Sequence, residues 1–222
     1  MEAARLPRMT LVSVHPHPLL EVAVLSIRLD KPLSEVLASE GLRAALLPGT
    51  SAPLASDEAT KKAVRDLLRQ AGYKPTGRGK PSSEYLAQAA LEQGLPRINP
   101  LVDAGNAVSL HSGLPISVVD LDRVVGELEV AVAPAGTSYP FNASGQVIEL
   151  EGLLCLRDAQ GPCANAVKDA QRTKTTSETR RALAIVWGTN ALPGRAERAA
   201  GWLGELLASC GAVVEQASVK SI

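Results

Sequence analysis

The chain has 222 residues, with 23 basic and 23 acidic side chains, 45% hydrophobic residues and only 3% aromatic ones. That balance excludes a disordered polyelectrolyte and a protein coated in positive charge, and it leaves the core to Leu, Val, Ile and Ala. Apolar runs such as Val22–Ile27 fall far short of the ~18 residues needed to cross a bilayer, and no cleavage site follows the N-terminus, so a cytoplasmic protein with no membrane segment is expected.

Residues 1–10 read as a loose start. Leu11–Val14 is a short β-branched run closed by Pro16 and Pro18, and Val22–Leu29 reads as the first strand, ended by Asp30-Lys31-Pro32. A short helix is expected over Leu33–Ala38, followed by a Pro/Gly/Ser loop. Ser56 has the character of an N-cap, with Asp57 and Glu58 in the first turn of a helix that Gly72 ends. Val64, Leu67, Leu68 and Ala71 give that helix an apolar face, and Lys61, Arg65 and Arg69 share a polar one. Two more helices are expected, over Ser83–Gln93 and Leu101–Ser112, stopped by Gly94 and by Gly113 with Pro115. The hydrophobic period then changes to two, giving strands at Leu128–Val132, Gln146–Leu150, Leu153–Leu156 and Leu183–Trp187. A helix over Arg195–Ser209 and a strand over Ala212–Gln216 close the chain. With no repeat or linker, residues 1–222 read as one α+β domain without βαβ units.

Charge is unevenly placed. Residues 61–80 carry Lys61, Lys62, Arg65, Arg69, Lys74, Arg78 and Lys80 against Asp66 alone, the electrostatic footprint of a phosphate contact. Lys168, Arg172, Lys174, Arg180 and Arg181 form a second cluster. The loop Gly77-Arg78-Gly79-Lys80-Pro81-Ser82-Ser83 runs into a helix N-terminus, which favours anions, but its spacing is not that of an ATP-binding P-loop. Asp103 and Asn106 share one helix face, and Asp103 reads first as a buried carboxylate in a hydrogen-bond network. His15 and His17 supply two ligands without a third, and Cys155, Cys163 and Cys210 are widely spaced, so neither a metal nor a cofactor is expected. Cys163 reads as a non-catalytic loop thiol.

The stretch GLPRINPLVDAGNAVSLHSGLPISVVDLDRVVGELEV (Gly94–Val130) resembles the editing domain of the phenylalanyl-tRNA synthetase β-subunit. The positions that carry the likeness are Val102-Asp103, Asn106, Gly113, Pro115, Asp120 and Asp122, continued by Gly136 and EGLLCLRD (Glu151–Asp158). GRGKPSSEYL and DAQRTKTTSETRRALAIVW (Asp169–Trp187) are closer to free-standing relatives of that domain. The likeness spans roughly residues 70–190, and the chain is too short for a synthetase.

The resemblance implies a three-layer β/β/α sandwich and a trans-editing hydrolase that removes the wrong amino acid from a tRNA acceptor end. On this reading Asn99, Asp103, Asn106 and Ser117 line the pocket, joined by Lys168, Asp169, Arg172 and Thr173. Asn106 and Thr173 orient a water or bind ribose hydroxyls, Arg172 or Lys168 stabilises the oxyanion, and Ser117 completes the catalytic set. Arg78, Lys80, Ser82 and Ser83 hold phosphate or the terminal nucleotide, and Lys61, Arg65, Arg69 and Lys74 contact the RNA backbone. Ser117 stands where the synthetase domain commonly has His, and Pro96 where it has Arg. A non-catalytic RNA- or protein-binding module and a small-molecule amino-acid ester hydrolase are the alternatives, and the oligomeric state is open.

Overall fold

A computed structural model describes residues 10–222, so the expected loose start falls outside it up to residue 9. In chain order the strands and helices are β1 (Leu11–Val14), β2 (Leu20–Arg28), α1 (Glu40–Ala45), α2 (Glu58–Arg69), α3 (Ser82–Glu92), α4 (Pro100–Ser112), β3 (Ile116–Asp120) and β4 (Leu128–Val132). Then follow β5 (Ser138–Pro140), β6 (Val147–Glu149), β7 (Leu154–Asp158), β8 (Gly161–Asn165), β9 (Arg181–Thr189), α5 (Arg195–Ser209), β10 (Val213–Gln216) and β11 (Ser218–Ser221).

Strand alternation builds the layers. Successive side chains of a strand point to opposite faces. In β9, Ala182, Ala184 and Val186 enter one core, while Leu183, Ile185 and Trp187 enter another. In β2, Ala23, Leu25 and Ile27 join the first core and Val24 the second. These strands form an antiparallel sheet of order β10-β2-β9-β3. One of its faces packs on α1, α4 and α5, whose buried residues include Leu42, Leu101, Val108 and Leu203. Its other face packs on a second sheet of order β11-β1-β4-β7-β8, through Val12, Leu128, Val130, Leu154 and Leu156. The result is the β/β/α layering, with a small β5–β6 hairpin added. Alanines on the helix side of β9 let α5 approach closely. A Cβ on Gly188 would fall 2.6 Å from the Cβ of Ala196 and 2.6 Å from the Glu21 carbonyl oxygen, so this contact requires glycine.

Local details depart from the sequence reading. The α2 cap is Asp57, not Ser56: its Oδ1 accepts from the Thr60 amide at 2.7 Å and from the Thr60 hydroxyl at 2.7 Å. A carboxylate there also meets the positive end of the helix dipole. Ser56 instead sits against Gly113, which ends α4 at φ +73°. Leu33–Ala38 holds only a 3₁₀ turn, Leu33–Glu35, and the loop after it contains α1, capped by Ser39. No element was expected over Ile116–Asp120. Its ISVVD sequence is β-branched, and it pairs with β9 as β3. The helices-then-strands order does exclude βαβ units from the middle sheet, but β1 pairs in parallel with both β4 and β11.

Candidate functional site

β3 is the free edge of the middle sheet, and the segment from β8 to β9 crosses it. Asn165, at the end of β8, sets that crossing. Its Oδ1 accepts from the amides of Val167 (2.7 Å) and Lys168 (2.9 Å), a side-chain-closed turn. Its Nδ2 donates to the Tyr139 hydroxyl at 2.6 Å, which donates in turn to the Lys168 carbonyl at 2.6 Å. Lys168 and Asp169, consecutive in this turn, line two different cavities.

The smaller cavity, about 220 Å³, lies between α4 and the edge of β3. Val102, Gly105 and Asn106, on one face of α4, and Ile116 and Val118 of β3 form most of its wall. Asp169, Lys174 and Thr175 supply the charged side. Asp169 is half-buried, and its Oδ1 takes both the Ser117 hydroxyl (2.7 Å) and, at 3.3 Å, the Asn165 amide. Loss of solvent pushes its pKa up to about 6, against the opposing pull of Ser117, the Asn165 amide and the Lys174 charge. Ser117 is itself steadied by Trp187, whose Nε1–H donates to Oγ at 2.9 Å.

The larger cavity is an open cleft of about 650 Å³. Lys74, Arg78 and Lys168 enter it beside Tyr73 and Phe141, with Glu149 as its one acid. The Lys168 ammonium lies 4.2 Å from the Phe141 ring centroid, a cation–π distance, and its pKa is lowered by desolvation and then by Arg78. Among the described residues none of these three cations forms a salt bridge. The two cavities meet where the Lys174 ammonium donates to the Phe141 carbonyl at 2.6 Å.

Of the residues expected at the site, Asn106 and Asp169 line the small cavity, while Lys74, Arg78 and Lys168 line the cleft. Asn99 stands at the cavity's edge: Oδ1 caps α4 at the Val102 amide (3.1 Å) and Nδ2 donates to Thr175 Oγ1 (3.1 Å). Asp103 is 4% exposed and accepts from the amide of Ile98, a wall residue, at 2.8 Å, so it holds the wall rather than a ligand. Ser117, 1% exposed, reaches the cavity only through Asp169.

Arg172 and Thr173 are not presented to either cavity. Arg172 grips Asp158 with two nitrogens and also donates to the Gly161 carbonyl, and the buried Thr173 hydroxyl donates to the Cys163 carbonyl at 3.1 Å. Both fasten the segment to the β7–β8 hairpin. Cys163 is buried with its pKa pushed up to about 12, chiefly by desolvation, which keeps its thiol protonated and shielded from solvent. Ser83 is buried, Ser82 donates its amide to the Ala166 carbonyl at 2.9 Å, and Lys80 lines neither cavity. On α2, Lys61 pairs with Glu58, Arg69 with Asp66, and Arg65 with Glu84.

Thr175, Phe141, Asn165 and Tyr139 are the parts the sequence reading missed, and Lys174 entered it only as a member of a basic cluster. Asn165, two and three residues ahead of the amides it binds, carried a readable turn signal, and Phe141 is the only phenylalanine in the chain. Among the described residues, no group of three or more His, Cys, Asp or Glu side chains is placed to hold a metal, and no helix is long and apolar enough to cross a membrane.

The B3/4 domain family model matches residues 69–198. A phenylalanine–tRNA ligase beta subunit of Bordetella pertussis is 29% identical over 119 residues, covering 52% of this chain and 15% of that protein. The corresponding subunit of Legionella pneumophila is 27% identical over 82 residues, 37% of this chain and 10% of that one. This chain thus spans only a small part of the length of those relatives. A crystal structure of an N-terminal fragment of the phenylalanyl-tRNA synthetase beta-subunit from Pyrococcus horikoshii shares the fold, with a TM-score of 0.54 at 12% identity, over 96% of this chain and 52% of that one.

Proposed function

This chain belongs to the B3/4 domain family, and from that premise we propose that it is a trans-editing deacylase, hydrolysing the ester between a wrong amino acid and the 3′ end of a tRNA. One observation carries the reading: a small carboxylate-bearing cavity and an open cationic cleft, served by consecutive residues of one turn. At about 220 Å³ the cavity is below the roughly 300–1,000 Å³ of sites that take drug-sized ligands, yet larger than the about 150 Å³ that admits benzene. It suits an aminoacyl group and not a nucleoside. The 650 Å³ cleft, with three cations and an aromatic ring, suits the terminal nucleotides and their phosphates.

An aminoacyl ester is already activated, so the site needs a positioned water and a stabilised oxyanion rather than a strong nucleophile. Asp169 takes a proton from a water oriented with Asn106. The water oxygen bonds to the ester carbon, and the carbonyl electrons move to an oxyanion that faces Lys174. Collapse of this intermediate breaks the bond to the ribose 3′-oxygen, which leaves as a hydroxyl with the proton that Asp169 returns. The products are a free amino acid and a deacylated tRNA. Lys174 takes the electrostatic role that the sequence reading gave to Arg172 or Lys168, since the Arg172 donors are engaged elsewhere and Lys168 lines the cleft.

The test is a deacylation panel of correctly and incorrectly charged tRNAs, with ester loss followed against a no-protein control. Accelerated loss for one or a few misacylated species is the expected result. No acceleration across the panel would overturn the reading, and tRNA binding without turnover would point to a binding module of the same fold.

A further inference from the structure

Gly105 occupies the interior of α4, where glycine is the poorest residue short of proline. Its backbone does not demand glycine, because it lacks the positive φ of Gly113. Packing does not demand it either. A Cβ at Gly105 would lie 3.4 Å from Val118 Cγ2 and 3.5 Å from Ile116 Cγ2, ordinary contact, unlike the 2.6 Å approaches at Gly188. What the missing methyl leaves is room, because Gly105 is buried and lines the small cavity. Gly201, inside α5, shows that a helical glycine alone means nothing: it is exposed, and a Cβ there would meet nothing within 4 Å.

Around Gly105 the wall is Ile98, Val102, Ile116 and Val118, aliphatic and without a ring, with Asn106 its one polar side chain from α4, whereas the charged groups come from the 169–174 segment. An ester whose carbonyl faces Asp169 and Lys174 would send its side chain to this aliphatic floor. We propose that Gly105 is a specificity-determining residue, keeping open the floor that receives the side chain of a neutral, branched aliphatic aminoacyl ester. This rests on the small cavity being the acyl site.

The test compares the wild type with Gly105→Ala on tRNAs carrying alanine, valine or isoleucine. Gly105→Ala should lower kcat/KM for the isoleucyl ester about tenfold relative to the alanyl ester, since one methylene in a pocket is worth at least that. Its melting temperature should rise, because alanine is the better helix former and fits. An unchanged ratio, or a lowered melting temperature, would overturn the proposal. If the wild type hydrolyses no ester, the deacylase reading fails, and Gly105 is judged by titration with the 3′-amide analogues (3′-aminoacylamino-3′-deoxyadenosines) of the same three amino acids. Tenfold weaker binding of the isoleucyl analogue by Gly105→Ala, with the alanyl analogue held, supports it. Equal affinities in both proteins, or no binding by the wild type, sink it.

Discussion

The cavity under the free edge of β3 and the cleft beside Phe141 share one turn of backbone, yet they differ in size, charge and lining. The first is small and mostly aliphatic, with one carboxylate whose proton affinity is raised by burial. The second is open, cationic and aromatic, and none of its three cations forms a salt bridge among the described residues. A residue in the first should therefore govern turnover, and a residue in the second should govern affinity and its salt dependence.

The sharpest break in that division is Asp169→Asn. It should lower kcat at least 100-fold, the scale of a lost general base, while tRNA affinity in a filter-binding assay stays within threefold. The wild-type rate should also fall as pH drops below about 6, where the carboxyl protonates. Stability runs the other way. The folded-state pKa lies above the unfolded value near 3.8, so the Asp169 contribution to stability improves as pH falls from about 6 toward 4. Asp169→Asn should accordingly melt no lower than the wild type at pH 7.5.

A charge reversal in the cleft, Lys74→Glu with Arg78→Glu, should weaken tRNA binding about tenfold and reduce the slope of log affinity against log salt by about one per lost contact. kcat at saturating tRNA should change less than threefold. The smallest effect belongs to α2. Lys61→Gln with Arg69→Gln should change tRNA affinity by less than about threefold in the same assay, because Glu58 and Asp66 already neutralise these charges. A larger loss from α2 than from the cleft would reverse the comparison.

That last contrast marks where sequence reading stops. The helix faces, the Gly113 stop and most strands were legible because each depends on residues a few positions apart. The surplus charge of residues 61–80 was counted within a window, but Glu58 lies just before it and Glu84, which holds Arg65, lies 19 residues further on. The likeness to the synthetase editing domain picked out Asn106 and Asp169, which line the cavity, and also Arg172 and Thr173, which do not. Nothing local distinguishes an arginine facing a pocket from one gripping Asp158 across a hairpin. Phe141 and Lys174, 33 residues apart, meet only through the tertiary fold. The β3 strand was hidden for a related reason, since five residues after a helix stop become a strand only when β9 is there to pair with them.

β9 has a consequence for how the molecule comes apart. Its alternate residues belong to two separate cores, one shared with the helices and one with the outer sheet. Neither core can melt alone without exposing one full face of this strand, Trp187 among the residues at stake. Two hydrophobic interiors that share β9, as they also share β2, are expected to behave as one unit in unfolding, so the amide protons of β9 should be released last, in the global opening that also dismantles the turn carrying Lys168 and Asp169.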